Sequence, residues 1–334
     1  MANIHPSSRQ PVPLRGISSR AWEHPADRGA LVALRELRGF DAVLKKLAGL
    51  INERALRLTY LGSAVRVDRH QYSRVHESYL NVASTLDVEK PPELFIARNP
   101  DLGGKCIGID NPIVIINSGS LDLLDEAELR FLLAHEIGHA VSGHALYRTM
   151  LSWLLRLTSG ISWMPLGAIG LRVIIAALCE WSRKSELSAD RAGALATQDP
   201  AAALRVMAKM AGGGDLSDID QAAFLAQAKE FESGGDLRES FLKLMLLEHR
   251  THDFSVARAA ELQDWIHDGD YQTYLSGSYP RREDDRNASL SEEAKAAAKS
   301  YKEAFESTGD PLTSLVRKFR DSFSSNNGED DAKK

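Results

Sequence analysis

The sequence predicts an α+β fold: a mostly helical domain with a small β-sheet. Apolar residues recur at helical spacing over long segments, as in "ALVALRELRGFDAVLKKLAGLINERAL". Two β-branched runs, near 106–109 and 113–117, are separated by Asn111 and Pro112 and predict adjacent strands. Hydrophobic residues make up 43% of the 334-residue chain, which is enough for a sizeable core.

The first part of the chain combines helical and extended segments. Residues 1 to about 28 form a Pro-rich lead that we expect to be extended, and 30–57 predicts a helix or a broken helical pair. A further helix is predicted over 72–86. The two prolines of "KPPELFIA" end that helix before a short strand.

Helices are predicted over most of the remaining chain. Asp125, with Glu128 three residues later, is typical of a capping box and marks a helix start. An unusually apolar stretch, 151–179, is followed by "WSRKSELSADRAGALAT" and "PAAALRVMAKMA", each predicted as a helix. Two more helical patterns cover 219–232 and 237–248.

These patterns divide the chain into three regions. Residues 1–70 hold the lead and the first helical region. Residues 71–279 form the main domain, with 151–179 as an apolar insertion. Residues 280–334 are a polar tail, for which we expect a solvated helix and a disordered end.

Composition excludes several classes of protein. The net charge of −5 shows no basic excess, so we expect no nucleic-acid partner. The two cysteines, Cys106 and Cys179, indicate neither a disulfide framework nor a thiolate metal site, which fits a reducing compartment. The N-terminus has no apolar signal segment, so the sequence predicts a cytoplasmic protein without a signal peptide.

The segment "LLAHEIGHAVSGH" places two histidines four residues apart. On a helix, His135 and His139 project from one face and can bind a single Zn²⁺. Glu136 lies about 100° round the helix, where it can act as general base on the zinc-bound water. The same three positions also occur by chance on ordinary amphipathic helices. A catalytic site therefore needs a third protein ligand from elsewhere in the chain.

Two local candidates for the third ligand are unfavourable. A metzincin would place a histidine at position 145 and a glycine at 142, whereas Ala145 and Ser142 stand there, which excludes that class. His144 lies about 140° off the ligand face of the helix, so we expect it beside the site or on the surface.

A better candidate lies in "WSRKSELSADRAG". Glu186 and Asp190 share a helix face at i, i+4 spacing. Glu186 can ligate zinc, and Asp190 can accept the N–H of a ligating histidine and fix its tautomer. The alternative is that both carboxylates are solvated and pair with nearby cations, namely Arg183, Lys184 and Arg191.

Together, "AELRFLLAHEIGHAVSGH" and "SRKSELSAD" resemble the M48 metallopeptidases. This gluzincin group includes the bacterial heat-shock membrane protease and the CAAX prenyl endopeptidase. The resemblance covers roughly 72–268 and implies a zincin-like domain whose active-site helix carries the His-Glu-x-x-His motif. It also implies one Zn²⁺ per chain, held by His135, His139 and Glu186, with Asp190 hydrogen-bonded to a ligating histidine.

A later segment, "THDFSVARAAEL", is similar to a family segment that usually reads Ser/Thr-His-Pro-Pro and carries a histidine near the metal. The resemblance implies a catalytic role for His252, as a donor to the transition-state oxyanion; the alternative is a surface histidine. Asp253 and Phe254 replace the two prolines. Lys105 and Cys106 replace the Asn-Ala that the family often has in its substrate-pairing strand, although backbone pairing tolerates such changes.

The sequence therefore predicts a zinc metalloendopeptidase that hydrolyses protein or peptide substrates, in protein quality control or processing. Glu136 would be its general base. The rival hypothesis is a zinc scaffold that binds clients like a chaperone, with little turnover. Retention of Glu136 argues against that rival.

Hydropathy alone marks 151–179 as a membrane span. One crossing would separate His139 and Glu186 across the bilayer, and the 46 residues between them are too few for two crossings. We therefore expect a helical hairpin, broken near Gly160 and Pro165, that packs on the domain or mediates self-association. Peripheral membrane contact is the alternative.

Overall fold

The structure is a computed structural model that describes residues 11–37, 39–158, 169–233, 254–292 and 294–303. Within these ranges, helices pack around one four-stranded sheet, so the α+β prediction is confirmed. The helices are α1 (Pro25–Glu36), α2 (Phe40–Leu50), α3 (Glu53–Ser63), α4 (Ser73–Thr85), α5 (Ser118–Leu123), α6 (Glu126–Val141), α7 (His144–Thr158), α8 (Ile169–Thr197), α9 (Pro200–Gly212), α10 (Gln221–Ser233), α11 (Ser255–His267) and α12 (Asp270–Leu275). The strands are β1 (Ala64–Arg66), β2 (Glu93–Ala97), β3 (Gly104–Ile107) and β4 (Ile113–Asn117).

The sheet has the strand order β1-β2-β4-β3. Strands β2 and β4 are parallel, and the two outer strands pair antiparallel to them. Val114 and Ile116 of β4 face the main core, whereas Ile115 packs with Leu56 and Tyr60 of α3 on the other face. Both faces are covered, which explains why β4 is a continuous β-branched run.

The N-terminal region differs from its prediction in two ways. Three helices replace the predicted helix or helical pair, and the short strand β1 follows them. The lead is also part of the main core: Leu14, Ile17 and Trp22 are buried, and Trp22 Nε1 donates to Ser142 Oγ at 2.9 Å. A Pro-rich composition indicated the absence of regular structure but not this burial.

Helix α8 joins two segments that the sequence analysis treats separately. Its 29 residues span about 44 Å at the usual rise per residue. The first half packs through Leu178 and Trp181 into a cluster with α1, α2 and α7. The second half packs through Ala192 and Leu195 into the main core. Glu186 lies between these two halves.

The expected break near Gly160 and Pro165 falls in 159–168, outside the described residues. No helix in the described part of the chain is long and apolar enough to cross a membrane.

The helix predicted in the tail is only partly solvated. Residues 294–303 are helical, and they pack against α1. Ala294 is buried, and a Cβ placed on Gly29 would lie 2.5 Å from the Cβ of Ala297. The predicted helix is therefore present and mostly solvated, but small residues allow one of its faces a close contact with α1. The pattern at 237–248 and the end of the tail lie outside the described residues.

Candidate metal centre

A capping box fixes the start of α6, as predicted. Asp125 Oδ1 accepts the backbone N–H of Glu128, and Glu128 Oε2 accepts that of Asp125, both at 2.9 Å. Glu128 also accepts hydrogen bonds from Arg205 and Lys209 of α9. This buried ionic group anchors the first turn of α6, three turns before the end of the His-Glu-x-x-His motif.

Small residues let α6 and α8 approach closely. A Cβ on Gly138 would lie 2.6 Å from the Cβ of Ala192, far inside an ordinary carbon–carbon contact. Gly138 directly precedes the second histidine, and the small residues that approach it belong to α8. The contact brings Glu186 of α8 against both histidines of α6.

Two imidazole nitrogens and one carboxylate converge where these helices meet. His135 Nε2 and His139 Nε2 are 3.1 Å apart, and they lie 3.3 and 3.2 Å from the two carboxylate oxygens of Glu186. All three side chains are buried. A tetrahedral zinc with bonds of about 2.0–2.1 Å would separate its ligand atoms by about 3.3–3.4 Å. Both the donor types and their spacing fit a zinc ion.

Glu136 lies beside this group, against strand β3. A Cβ on Gly104 would be 2.9 Å from Glu136 Oε1, so the glycine makes room for the carboxylate. Glu136 Oε2 is buried and has no hydrogen-bond partner within the described part of the chain. Burial raises the pKa of Glu136 to about 7, more than the positive charges around it lower it. A carboxyl group with this pKa can exchange protons near neutral pH.

Asp190 contacts the outer nitrogen of His135. Its Oδ1 lies 3.0 Å from His135 Nδ1, and Arg258 of α11 donates to both Asp190 oxygens at 2.6 and 2.7 Å. Burial alone would lower the pKa of His135, but the hydrogen bonds to Asp190 and Glu186 raise it to about 9. Both carboxylates are buried and paired inside the protein, unlike the solvated pair that was the alternative.

The other histidine has different neighbours. His139 Nδ1 lies 3.0 Å from His144 Nδ1, and Arg148 Nη1 lies 3.2 Å from His139 Nε2 and contacts Glu186 Oε1. Burial and the Arg148 charge hold the pKa of His139 well below its usual value. Arg148 and His139 also hold the pKa of Glu186 well below its usual range, despite its burial. His144 is thus buried beside the group and is not on the surface.

The family model described as "Peptidase family M48" matches residues 69–266, which is more than half of the chain. This range contains the three donor residues, Glu136 and Asp190. The chain belongs to peptidase family M48.

Named M48 relatives agree with this assignment. The chain is 28% identical to "Plastoglobule-localized metallopeptidase 48, chloroplastic" of Arabidopsis thaliana over 273 residues, which cover 79% of the chain and 78% of that protein. It is 30% identical to "Protease HtpX homolog" of Tropheryma whipplei (strain Twist) over 183 residues, or 47% of the chain and 62% of that protein. "Protease HtpX homolog 1" of Streptomyces coelicolor is 28% identical over 44% of the chain and 56% of its own length. No solved structure is significantly similar.

As an M48 peptidase, the chain is a metalloprotease that uses a metal cofactor and acts on protein or peptide substrates. Among the described residues, the side chains of His135, His139 and Glu186 form a group that can hold the metal.

Three further residues named from the sequence are His252, Lys105 and Cys106. His252 falls in 251–253, outside the described residues. Cys106 is buried in β3, where burial raises its pKa, and the Lys105 ammonium lies over the Tyr60 ring at 5.4 Å from its centroid. Neither side chain belongs to the donor group, although β3 is the edge strand beside Glu136.

Two arginines of this M48 site were missed from the sequence. Arg148 looks like an ordinary helix-surface charge in "HALYRTML". Arg258 gave a usable signal, because it is the one charge in "SVARAA", where a buried partner is expected.

Proposed function

We propose that this M48 peptidase is a zinc-dependent endopeptidase that hydrolyses internal peptide bonds in proteins. The observation that supports this proposal is the close spacing of two imidazole nitrogens and a carboxylate. His135 Nε2 and His139 Nε2 lie 3.1 Å apart, and they lie 3.3 and 3.2 Å from the two oxygens of Glu186. Two nitrogens and one carboxylate leave an open coordination position, as catalytic zinc sites require.

Glu136 is the general base in this proposal. When bound, zinc would polarise a water molecule and the substrate carbonyl. Glu136 would take a proton from the attacking water and deliver it to the leaving amine. Its buried oxygen has no hydrogen-bond partner among the described residues, and its pKa is raised to about 7. Both observations support this role, since the group is available and able to change protonation near pH 7.

Two further residues complete the proposed site. Asp190, itself held by Arg258, would keep His135 in the tautomer that binds the metal through Nε2. His252 would donate a hydrogen bond to the transition-state oxyanion, a role that comes from the resemblance to the family segment around it.

The His252 proposal can be tested with one variant. We expect His252→Phe to lower turnover with little change in bound metal, because an oxyanion contact acts only in the transition state. If His252 instead covers the open metal position at rest, the same change would raise turnover. Wild-type kinetics would eliminate both roles.

The apolar insertion, 151–179, is proposed to pack on the domain or to mediate self-association. His144 and Arg148 of α7 and Glu186 of α8 meet at the metal site, so both ends of the insertion lie on the same side of the molecule. One plant relative is named as plastoglobule-localized, which makes peripheral lipid contact the alternative. Release of the full chain by an alkaline carbonate wash is expected, whereas retention in the membrane pellet would contradict the proposal.

The function is tested by metal analysis and casein cleavage. We expect about one zinc per chain, cleavage that a chelator abolishes, and recovery when zinc is restored. Zinc binding without any cleavage of casein or of candidate partner proteins would favour the chaperone-like scaffold instead.

A further inference from the structure

The outer nitrogen of His139, Nδ1, lies at one end of a buried series of hydrogen-bonding side chains whose other end is Asp27 of α1. His139 Nδ1 lies 3.0 Å from His144 Nδ1, and His144 Nε2 lies 3.0 Å from Asp27 Oδ2. All three side chains are buried. Ser188 of α8 donates to the same Asp27 oxygen at 2.5 Å.

Asp27 is the member of this series whose hydrogen-bonding role is fixed, because it can act only as an acceptor when ionised. An ionised carboxylate can only accept, so His144 must donate to it from Nε2. A neutral His144 then has a lone pair at Nδ1 and accepts from His139. His139 therefore carries its proton on Nδ1, which leaves Nε2 unprotonated and able to bind a metal.

We propose that Asp27 and His144 are positioning residues that hold His139 in the Nδ1–H tautomer, and in the ring orientation, that metal binding requires. This inference rests on the proposed function, because it takes His139 Nε2 as a metal ligand. Neither residue touches the metal position. His144 acts through one hydrogen bond and Asp27 through two.

The surroundings of Asp27 hold it in place. Ser188 Oγ also accepts the backbone N–H of His24, the residue that caps α1, at 2.9 Å. The start of α1 is thereby tied to α8, the helix that carries Glu186. The His144 ring lies edge-on to Trp181 of α8, with 5.6 Å between ring centroids. We call the series of hydrogen-bonding groups from Asp27 through His144 to His139 the relay. The relay and the third ligand are thus supported by the same helix, α8.

The first test is Asp27→Asn in the full chain. An asparagine amide can donate to His144 Nε2, which would move the His144 proton to Nδ1, facing the proton of His139. We expect zinc affinity, measured by competition with a chelator, to fall by about 10 to 100-fold, as for other partners of metal-bound histidines.

Glu128→Gln is the matched control. Glu128 is a buried carboxylate on α6 with its own partners, Arg205 and Lys209, and it does not contact the relay. We expect Glu128→Gln to lower resistance to urea while zinc affinity stays within about twofold of wild type, since the two sites are independent. Equal losses of zinc affinity in both variants would overturn the proposal and assign Asp27 a purely structural role.

A double variant tests the direction of the relay. In His144→Asn, the side-chain carbonyl can accept from His139 without help from Asp27. Adding Asp27→Asn to this background should then change zinc affinity by no more than about twofold, because coupled residues are not additive. A full 10 to 100-fold loss in that background would overturn the proposal.

A spectroscopic measurement covers the case in which Asp27→Asn fails to fold. In the zinc-loaded wild-type protein, histidine ¹⁵N spectra should show that the His144 ring carries its proton on Nε2. The signal is assigned to His144 because it disappears in His144→Asn. A proton on Nδ1 of that ring would overturn the proposal.

The same experiments separate this inference from the proposed function. A wild-type chain that binds no zinc, or Glu186→Gln with wild-type affinity, would defeat the metal site itself and the relay with it. Normal dependence on Glu186 without dependence on Asp27 would defeat only the relay.

Discussion

The two histidines of the metal site lie on one helix, four residues apart, yet their outer nitrogens rest on different parts of the chain. His135 contacts the carboxylate of Asp190 directly, and Asp190 follows Glu186 by one turn of α8. His139 reaches its carboxylate through His144, and that carboxylate, Asp27, belongs to α1. We call these the Asp190 side and the Asp27 side of the site.

The two sides also differ electrostatically. On the Asp190 side, two carboxylates outweigh the effect of burial and raise the pKa of His135 to about 9. On the Asp27 side, burial and the charge of Arg148 lower the pKa of His139. A direct carboxylate partner therefore favours the charged imidazole of His135, whereas burial and the neighbouring arginine favour the neutral form of His139. Only the neutral form has the lone pair that binds a metal, so His135 must release its proton when a metal binds.

Replacing Glu136 should have the largest effect while leaving both sides intact. Glu136→Gln removes the proton acceptor but neither the ligands nor their partners. We expect about one zinc per chain and a loss of turnover of roughly two to four orders of magnitude. Peptide cleavage and metal analysis on the same sample measure both quantities. Unchanged turnover would disprove the general-base mechanism.

Replacing Glu186 removes the ligand that the two sides share. We expect Glu186→Gln to lower zinc affinity by more than the roughly 10 to 100-fold that loss of a ligand's partner costs. Glu180→Gln is the control, because Glu180 lies on the same helix but pairs with Arg183 away from the donor atoms. Full zinc occupancy of Glu186→Gln under a competing chelator would remove Glu186 from the site.

The Asp190 side can be weakened on its own. Asp190→Asn keeps an acceptor for His135 but removes one of the two carboxylates that the buried guanidinium of Arg258 contacts, the other being Glu186. We expect about 10 to 100-fold weaker zinc binding and a free energy of unfolding lower by roughly 1.5–3 kcal/mol, because a buried charge loses its hydrogen bonds to a carboxylate. Urea denaturation with and without zinc measures both effects. Asp27→Asn should destabilise the fold less, since the described partners of Asp27 are His144 and Ser188 and include no arginine.

We expect the smallest effect from a change that widens the contact between α6 and α8 and so shifts both histidines relative to Glu186. In Gly138→Ala, the new methyl group would lie 2.6 Å from Ala192 Cβ and push α6 away from α8. The cost of overpacking exceeds the gain in helix propensity, so we expect a net loss of about 1 kcal/mol in stability. Zinc affinity should fall by less than about tenfold, by the same reasoning.

Gly49→Ala is the control for Gly138→Ala. Gly49 lies in α2, and in the described structure no atom beyond its chain neighbours and the adjacent backbone of its own helix lies within 4 Å of the position of an added Cβ. We expect unchanged zinc affinity and a stability gain of up to about 1 kcal/mol. Equal behaviour of the two variants in urea would show that the contact between α6 and α8 is not tight.

The accuracy of the sequence predictions depended on how local each signal is. Helix α6 was predicted from Asp125 onward because its capping box and its metal motif both lie within the helix. The three helices α1, α2 and α3 were not separated, since their apolar residues continue at helical spacing across the connections. Helix α8 was divided in two because its composition changes near Trp181, although the helix continues from one apolar cluster into the other.

By itself, the sequence predicted the α+β class, the pair His135 and His139 on one helix face, and the placement of Glu186 and Asp190 one turn apart on another helix. Fixed spacing on a helix places side chains on a common face, so periodicity and motif were sufficient for these predictions. The resemblance to the M48 peptidases singled out Glu186 as the third ligand. Tertiary structure alone decided that Asp27 reaches His139 through His144 and that Arg148 and Arg258 flank Glu186. These contacts join α1, α7, α8 and α11, and no local spacing connects residues that meet only when separate helices pack.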